Sequence, residues 1–320
     1  MTSGLFDLTR LRVLVAVAKE GSVTAAAEAL GYAQPSVSHH LAKLEAEAGV
    51  PLVRRAGRGI LLTDAARLLV ARAEEILGQV ASARAELAAH AGLRAGRVRL
   101  AAFPSALATV VPPAVARLAA DHPGVAVALT EAEPPEALTA LRTGEADAAL
   151  IFEHDEPRPA DRRNTTVTPL LDEPVHLVAP AGAAPAPDGG LAAHRDGTWI
   201  AGCERCRLHL VAMCGRLGFA PRIRFETDDH VAVQALVAAG LGVSVLPDLA
   251  LRAHRHAGVT TEPLPGERRR VSLAHWGAPP APLPVQAFAA ALTAVVAGLG
   301  ADRTDAGAHA GADGAGGFGQ

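Results

Sequence analysis

The stretch VTAAAEALGYAQPSVSHHLAKLEAEAG, residues 23–49, constrains this chain more than any other. It holds two helical runs separated only by Gly31 to Ala33. In the first, TAAAEAL, alanine has the highest helix propensity and lets a neighbouring backbone come close. Ser22 or Thr24 supplies its cap, and Gly31 ends it. The second run starts near Gln34, where Pro35 fits the first turn because an N–H there would have no partner. Val37, Leu41, Leu44 and Ala48 recur at spacings of 4, 3 and 4 and form a buried stripe. Ser38, His39 and Lys43 fall off that stripe, on the polar side. His40 borders the stripe, so packing is its favoured role. Each helix covers the other. The pattern predicts a helix-turn-helix whose second helix presents polar side chains from its first turns, the part that fits a DNA major groove.

The flanks extend this unit. Upstream, Leu8, Leu11, Leu14, Val15 and Ala18 have helical spacing. Downstream, LVRRAGRGILLT holds two β-like runs around AGRG, with glycines where a tight turn needs them. This predicts a hairpin, or wing, with Arg54, Arg55 and Arg58 near its tip. The formal net charge of −3 gives no general reason to expect nucleic acid. Residues 1–62, however, carry seven basic against five acidic side chains, a net +2, with three of the bases between Arg54 and Arg58. Thr63 can cap the next helix, expected from Asp64 to His90. Along it, Leu69, Ala73, Ile76, Val80, Ala83 and Leu87 repeat at 4, 3, 4, 3 and 4, a heptad seam with no obvious cover in the chain. A second copy covering that seam is favoured over packing within one domain.

After GLRAG (92–96), strand-like and helix-like segments alternate. RVRLAAF (97–103), VAVALTE (125–131) and DAALIF (147–152) read as strands; 105–122 and 135–144 read as helices. The β-α order repeats between 175 and 247, and a last strand (269–276) and helix (284–299) follow. Such alternation predicts parallel sheets with helices on their faces, here in two similar α/β lobes. The chain is expected to cross between lobes near 164–173 and to return near 263–270. Ligands bind such lobes at carboxyl ends of strands and at helix starts. Ser105, after strand 97–103 and Pro104, is therefore a candidate for a carboxylate-bearing effector, simple N-capping being the alternative. Residues 301–320 are Gly/Ala-rich without an apolar pattern and read as a disordered tail.

Several classes are excluded or disfavoured. The N-terminus lacks a basic-then-apolar signal pattern, and no apolar run approaches the roughly 20 residues that span a bilayer; a cytoplasmic protein without membrane attachment is expected. No Gly-rich phosphate loop and no recognisable pair of catalytic carboxylates stands in the sequence, so no catalytic residue, no cofactor and no enzyme is predicted. A solute-binding protein would need export and would not need residues 20–62. The tempting chemical motif is GCERCRLHL, where Cys203 and Cys206 have C-x-x-C spacing and Cys214 follows. This suits a redox pair or half a zinc site. The segment runs from a strand end into a helix, whose N-terminus would lower the Cys203 pKa; lining of an interlobe cleft or plain packing is favoured, with a thiol- or metal-responsive regulator sensing through Cys203 and Cys206 as the alternative.

The order of helix-turn-helix, basic wing, long helix and two α/β lobes resembles the LysR-type transcriptional regulators over about residues 5–299. The most specific part is Ala25 to Thr63, AAAEALGYAQPSVSHHLAKLEAEAGVPLVRRAGRGILLT; VAVQALVAAGLGVSVLP (231–247) is similar to the family's effector-lobe segment. The resemblance implies an α+β multidomain fold: a winged helix-turn-helix (1–63), a linker and dimerisation helix (64–92), and a two-lobed α/β effector domain like that of periplasmic binding proteins (93–300). Lobe I would take about 96–165 and 268–300, and lobe II about 166–267. It implies binding to inverted-repeat operators on double-stranded DNA as a homodimer or a dimer of dimers, control by a small effector, and contact with RNA polymerase if the protein is an activator. Gln34, Pro35, Ser36, Ser38, His39 and Lys43 would face DNA from the recognition helix. Arg58 would enter the minor groove, and Arg54 and Arg55 would meet phosphates. Glu133, Gly202, Cys203, Asp228 and Pro247 would lie with Ser105 around the effector. Two positions depart from the family: His39 stands where Arg or Lys is frequent, and Ala33 where a capping Ser is frequent.

Overall fold

The computed structural model describes residues 6–56, 59–90, 96–154, 164–182 and 190–310. The chain divides into two compact units, 1–87 with 139–145 and 88–138 with 146–320.

The N-terminal unit begins with α1 (Leu8–Glu20), α2 (Val23–Leu30) and α3 (Gln34–Ala48). Asp7 caps α1, and Ser22, not Thr24, caps α2 by accepting from the Ala25 N–H at 3.1 Å. Gly31 ends α2 with φ at +67°, a value that glycine adopts without a Cβ penalty. Leu11, Val13, Leu14 and Val17 of α1, Ala26 and Ala27 of α2, and Val37, Leu41 and Leu44 of α3 form one apolar cluster. Leu8, expected inside, is exposed instead. Two strands follow, β1 (Val53–Ala56) and β2 (Gly59–Leu62), antiparallel with Val53 opposite Leu62. Helix α4 (Asp64–His90) starts at Thr63, whose Oγ1 accepts from the Ala66 N–H at 3.1 Å.

The second unit carries one eight-stranded sheet in the order β4-β3-β5-β10-β6-β9-β7-β8. In chain order its elements are β3 (Gly96–Ala102), α5 (Pro104–Leu107), α6 (Val111–Asp121), β4 (Val125–Glu131), α7 (Pro134–Arg142) and β5 (Ala148–Glu153). Then come β6 (Thr165–Pro180), β7 (Thr198–Ala201), α8 (Glu204–Arg216), β8 (Arg222–Glu226), α9 (His230–Ala238), β9 (Val243–Pro247), α10 (Asp248–Ala253), β10 (Val259–Trp276) and α11 (Leu283–Ala310). The parallel triplets β4-β3-β5 and β8-β7-β9 repeat the same local order, the first strand lying between the other two. Between them stand β6 and β10, paired antiparallel.

Both lobe crossings are made by long strands, β6 and β10, which run through both lobes with a register shift between Pro263 and Arg268. Two expectations change here. The helix expected over 105–122 is two helices, α5 and α6. Pro112 and Pro113 occupy the first turn of α6, where proline is tolerated; inside one continuous helix their rings would clash with the preceding turn. Helix α11 runs to Ala310, through the first ten residues of the tail expected from 301, while 311–320 lie outside the described residues.

Strand burial follows sheet position. All six residues of β5 are buried between β3 and β10, and its sequence AALIFE is apolar until the last position. Edge strand β8 reads RIRFE, alternating exposed and half-buried. One core gathers Phe103, Leu118, Leu150 and Phe152 under Val285, Phe288 and Leu292 of α11. A second packs Trp199, Leu210, Met213 and Cys214 of the other lobe.

Candidate functional site

On α3 the apolar stripe faces inward and leaves Gln34, Pro35, Ser36, Ser38, His39 and Lys43 exposed. Gln34 Nε2 donates to Ser38 Oγ at 3.4 Å, so the two stand on one ridge, a turn apart. His40 is half-buried, with its ring 6.2 Å from that of Tyr32, on the packing flank. No side chain caps α3: Ala33 occupies that position. Glu45 has a role that sequence reasoning missed. Its Oε1 accepts from the N–H groups of Leu52 and Val53 at 2.8 and 3.1 Å and so ties the wing to α3. The wing is held from its other strand by the Ile60 N–H, which donates to Gly21 O at 3.2 Å. Arg54 is exposed on β1. Arg58 and the Arg55 side chain lie outside the described residues.

The six seam positions of α4 separate into two sets. Leu69 and Ala73 pack into the helix-turn-helix core. Ile76, Ala83 and Leu87 are exposed, Leu87 by 74%, and Val80 is half-buried. A partner helix would therefore meet the latter four.

In the second unit, Ser105, Glu133, Gly202, Cys203, Asp228 and Pro247 all line one cleft of about 440 Å³. Topology explains the convergence. Ser105 follows β3, Glu133 follows β4, Gly202 and Cys203 follow β7, Asp228 follows β8, and Pro247 ends β9. Each sits at a carboxyl end of a parallel strand, where the two lobes open toward each other.

The floor of the cleft is Arg269, which sequence reasoning missed. It is 3% exposed, and its Nε donates to Glu173 Oε1 at 2.7 Å. Its Nη2 donates to Ser105 Oγ at 2.9 Å, and its guanidinium carbon lies 4.9 and 4.6 Å from the ring centres of Phe103 and Phe152. Glu173 Oε2 accepts from the Leu249 N–H at 2.6 Å. A buried ion pair is tolerable only when hydrogen bonds complete it, and this one is completed. Strand alternation in GERRRVSL offered a signal. Arg269 shares its face with Val271 and Leu273, while Arg268 and Arg270 point outward. The α5 helix has four residues, too few for a helix dipole to matter at Ser105, and the polar groups at that position are its hydroxyl and Arg269.

The thiols contradict one expectation. Cys203 begins α8, where a helix N-terminus would lower its pKa. Its pKa is instead raised, first by the hydrogen bond with Cys206 and then by burial. The two Sγ atoms are 3.3 Å apart. Burial likewise pushes the Cys214 thiol up to about 11. Among the described residues no group of three or more His, Cys, Asp or Glu side chains is arranged to hold a metal ion.

A smaller cavity of about 330 Å³ adjoins the cleft and shares Gly202, Cys206, Val245 and Pro247 with it. His154 and His209 line it with rings stacked at 3.8 Å and 7°. His209 Nε2 lies 3.3 Å from Glu267 Oε2. Burial first, then the neighbouring His209, holds the His154 pKa down to about 3, so its ring is neutral at physiological pH.

A helix-turn-helix with an outward polar ridge, joined in one chain to a two-lobed domain with a polar cleft, is the make-up of a DNA-binding transcriptional regulator. Comparison with known proteins makes the class specific. The profile described as bacterial regulatory helix-turn-helix protein, lysR family, matches residues 8–67, and that of the LysR substrate binding domain matches 91–297. The chain belongs to the LysR family of transcriptional regulators and is not an enzyme. It is 32% identical over 284 residues to a probable hydrogen peroxide-inducible genes activator of Mycobacterium avium, covering 84% of this chain and 83% of that one. It is 28% identical to the uncharacterized HTH-type regulator YfeR of Shigella flexneri, over 77% and 80% of the two chains. Among solved structures, full-length OxyR of Pseudomonas aeruginosa, in a cysteine variant, matches at 25% identity and a TM-score of 0.61, covering 90% and 95%. The LysR-family regulator CbnR shares the fold, at 21% identity and a TM-score of 0.59, covering 91% and 99%. Among the described residues no helix is long and apolar enough to cross a membrane.

Proposed function

We propose that the chain acts in the cytoplasm as a homodimer or dimer of dimers. It reads inverted-repeat operators with α3 and its wing and changes its DNA contacts when a small effector enters the cleft. The observation that carries this reading is the ridge of α3. Six polar or exposed residues face outward while Val37, Leu41 and Leu44 lock the helix from behind. Gln34 has the amide geometry to bond an adenine edge bidentately, and Lys43 and Arg54 suit phosphates. An effector carboxylate would sit beside Ser105 and the Arg269 guanidinium. The exposed Ile76, Val80, Ala83 and Leu87 would form the dimer seam on α4, and an activating role would add contact with RNA polymerase. Footprinting of the DNA upstream of its own gene tests the reading. A protected inverted repeat whose affinity falls steeply with salt supports it. Uniform binding along the fragment overturns it.

A second reading is supported by the thiol pair, because 3.3 Å between Sγ atoms leaves little movement for a disulfide. In it, hydrogen peroxide oxidises the Cys203 and Cys206 thiols to a disulfide, its O–O bond breaking and the two thiol protons leaving in two water molecules, and the bond across the first turn of α8 reshapes the cleft wall. The raised Cys203 pKa makes that thiol a slow nucleophile, which places the reading second. Operator affinity unchanged by peroxide, with the disulfide verified by mass, removes it.

A further inference from the structure

The charges around the cleft do not match an effector that is only an acid. Arg269 is the one Lys or Arg side chain among the residues lining the cleft. Its charge is already met by Glu173, with Nη2 2.6 Å from Oε1, and its remaining surroundings are Ser105 and two aromatic rings. His230, also at the cleft, has its pKa lowered by burial first and then by Arg269, which keeps its ring neutral at physiological pH. Against this stand two carboxylates, Glu133 from lobe I and Asp228 from lobe II. They come from equivalent positions after β4 and β8 and line the same cleft, Glu133 half-buried and Asp228 exposed; burial first and then the Asp228 charge raise the Glu133 pKa, against a hydrogen bond from the Cys203 thiol that lowers it.

One atom points to what belongs between them. Glu133 Oε2 is shut off from solvent and has no hydrogen-bond partner among the described residues. A buried acceptor of this kind costs free energy unless a donor meets it. A bare divalent ion would want more ligands than stand here, since no group of three or more metal-ligating side chains forms. A nitrogen cation supplies both positive charge and several N–H donors in a compact head.

Resting on the reading of this cleft as the effector site, we infer that the effector carries an ammonium group, held between Glu133 and Asp228. With a carboxylate at Ser105 and Arg269, the favoured ligand class is a small amino-acid-like zwitterion. Its ammonium removes the repulsion between two like charges on opposite lobes, so occupancy changes the preferred gap between them. The apolar wall of Phe103, Val233, Val245 and Leu246 would receive its side chain.

The test is calorimetry on the full-length protein with a defined probe set. The set holds the twenty common L-amino acids, putrescine and cadaverine, their N-acetylated forms, and the carboxylic acids that lack the amine. Binding by an ammonium compound, lost at least tenfold on N-acetylation and at least tenfold in Glu133→Gln and in Asp228→Asn, supports the proposal. Unfolding midpoints of both variants, unchanged within two degrees, show that the loss is local. Binding by amine-free acids, kept or tightened in both variants and lost in Ser105→Ala, overturns the ammonium while leaving the cleft as the effector site. Binding that survives Gly202→Trp, which fills the cleft, overturns the cleft reading and the proposal together. No binding by any ammonium compound of the set also overturns the proposal.

Discussion

The two halves of this protein build their sites in opposite ways. The recognition ridge of α3 lies on one local element, and its polar side chains contribute little to the fold behind them. The cleft of the second unit is assembled from the ends of six parallel strands and a strand that crosses both lobes, and its floor is part of the core. In the first half, site and scaffold are separable. In the second they share the cleft floor, the buried pair Arg269 and Glu173. Substitutions on the ridge should therefore change binding and not stability, whereas substitutions at the cleft floor should change both.

The largest expected effect tests the inseparable half. Glu173→Ala leaves the Arg269 charge buried without its partner, which costs roughly 3–5 kcal/mol. Chemical denaturation should show that loss for the second unit while the N-terminal unit keeps its own transition. A change under 1 kcal/mol would mean the pair is not part of the scaffold. Glu45→Ala breaks the rule of separability on the DNA side, because Glu45 fastens the wing. Losing a charged acceptor for two backbone N–H groups should lower stability by about 2 kcal/mol and weaken operator binding.

Acid should find the second unit first. His154 is held neutral at a pKa of about 3 against 6.5 for the free side chain. Between these values the unfolded chain binds a proton that the folded chain does not. Stability is thus intact above pH 6.5 and falls as the pH drops through that window, by about 2 kcal/mol at pH 5. In His154→Gln this share of the acid sensitivity should vanish; identical pH profiles would refute it. The smallest effect is a gain: Ala33→Ser supplies the missing cap of α3 and should add about 1 kcal/mol to the N-terminal unit.

The same contrast decides what could be read from the sequence. The α3 stripe, the separation of His39 from His40, the wing and the start of α4 at Thr63 are local patterns, and short-range periodicity carries them. Of the six cleft residues, Ser105 and Cys203 could be placed by their position after a strand, a rule of topology, whereas Glu133, Gly202, Asp228 and Pro247 came from the family resemblance. The Arg269–Glu173 pair joins residues 96 apart, and nothing local links them, although the strand alternation at Arg269, Val271 and Leu273 marked which arginine turns inward. The pKa of Cys203 went against expectation because its hydrogen bond with Cys206 and its burial outweigh the helix terminus, and only packing reveals that balance. The break before Pro112 was legible in the two prolines themselves.

The most direct test of the central claim pairs one binding assay with one unfolding curve. Wild type and the double variant Gln34→Ala, Ser38→Ala are titrated against the protein's own upstream DNA and against a scrambled fragment at 150 mM salt, roughly physiological ionic strength. The account predicts that wild type prefers its own DNA by at least a hundredfold. It also predicts that the double variant loses ten- to a hundredfold of that preference with stability changed by less than about 0.5 kcal/mol. Equal preference in both proteins, or a loss of preference that tracks unfolding, would contradict it.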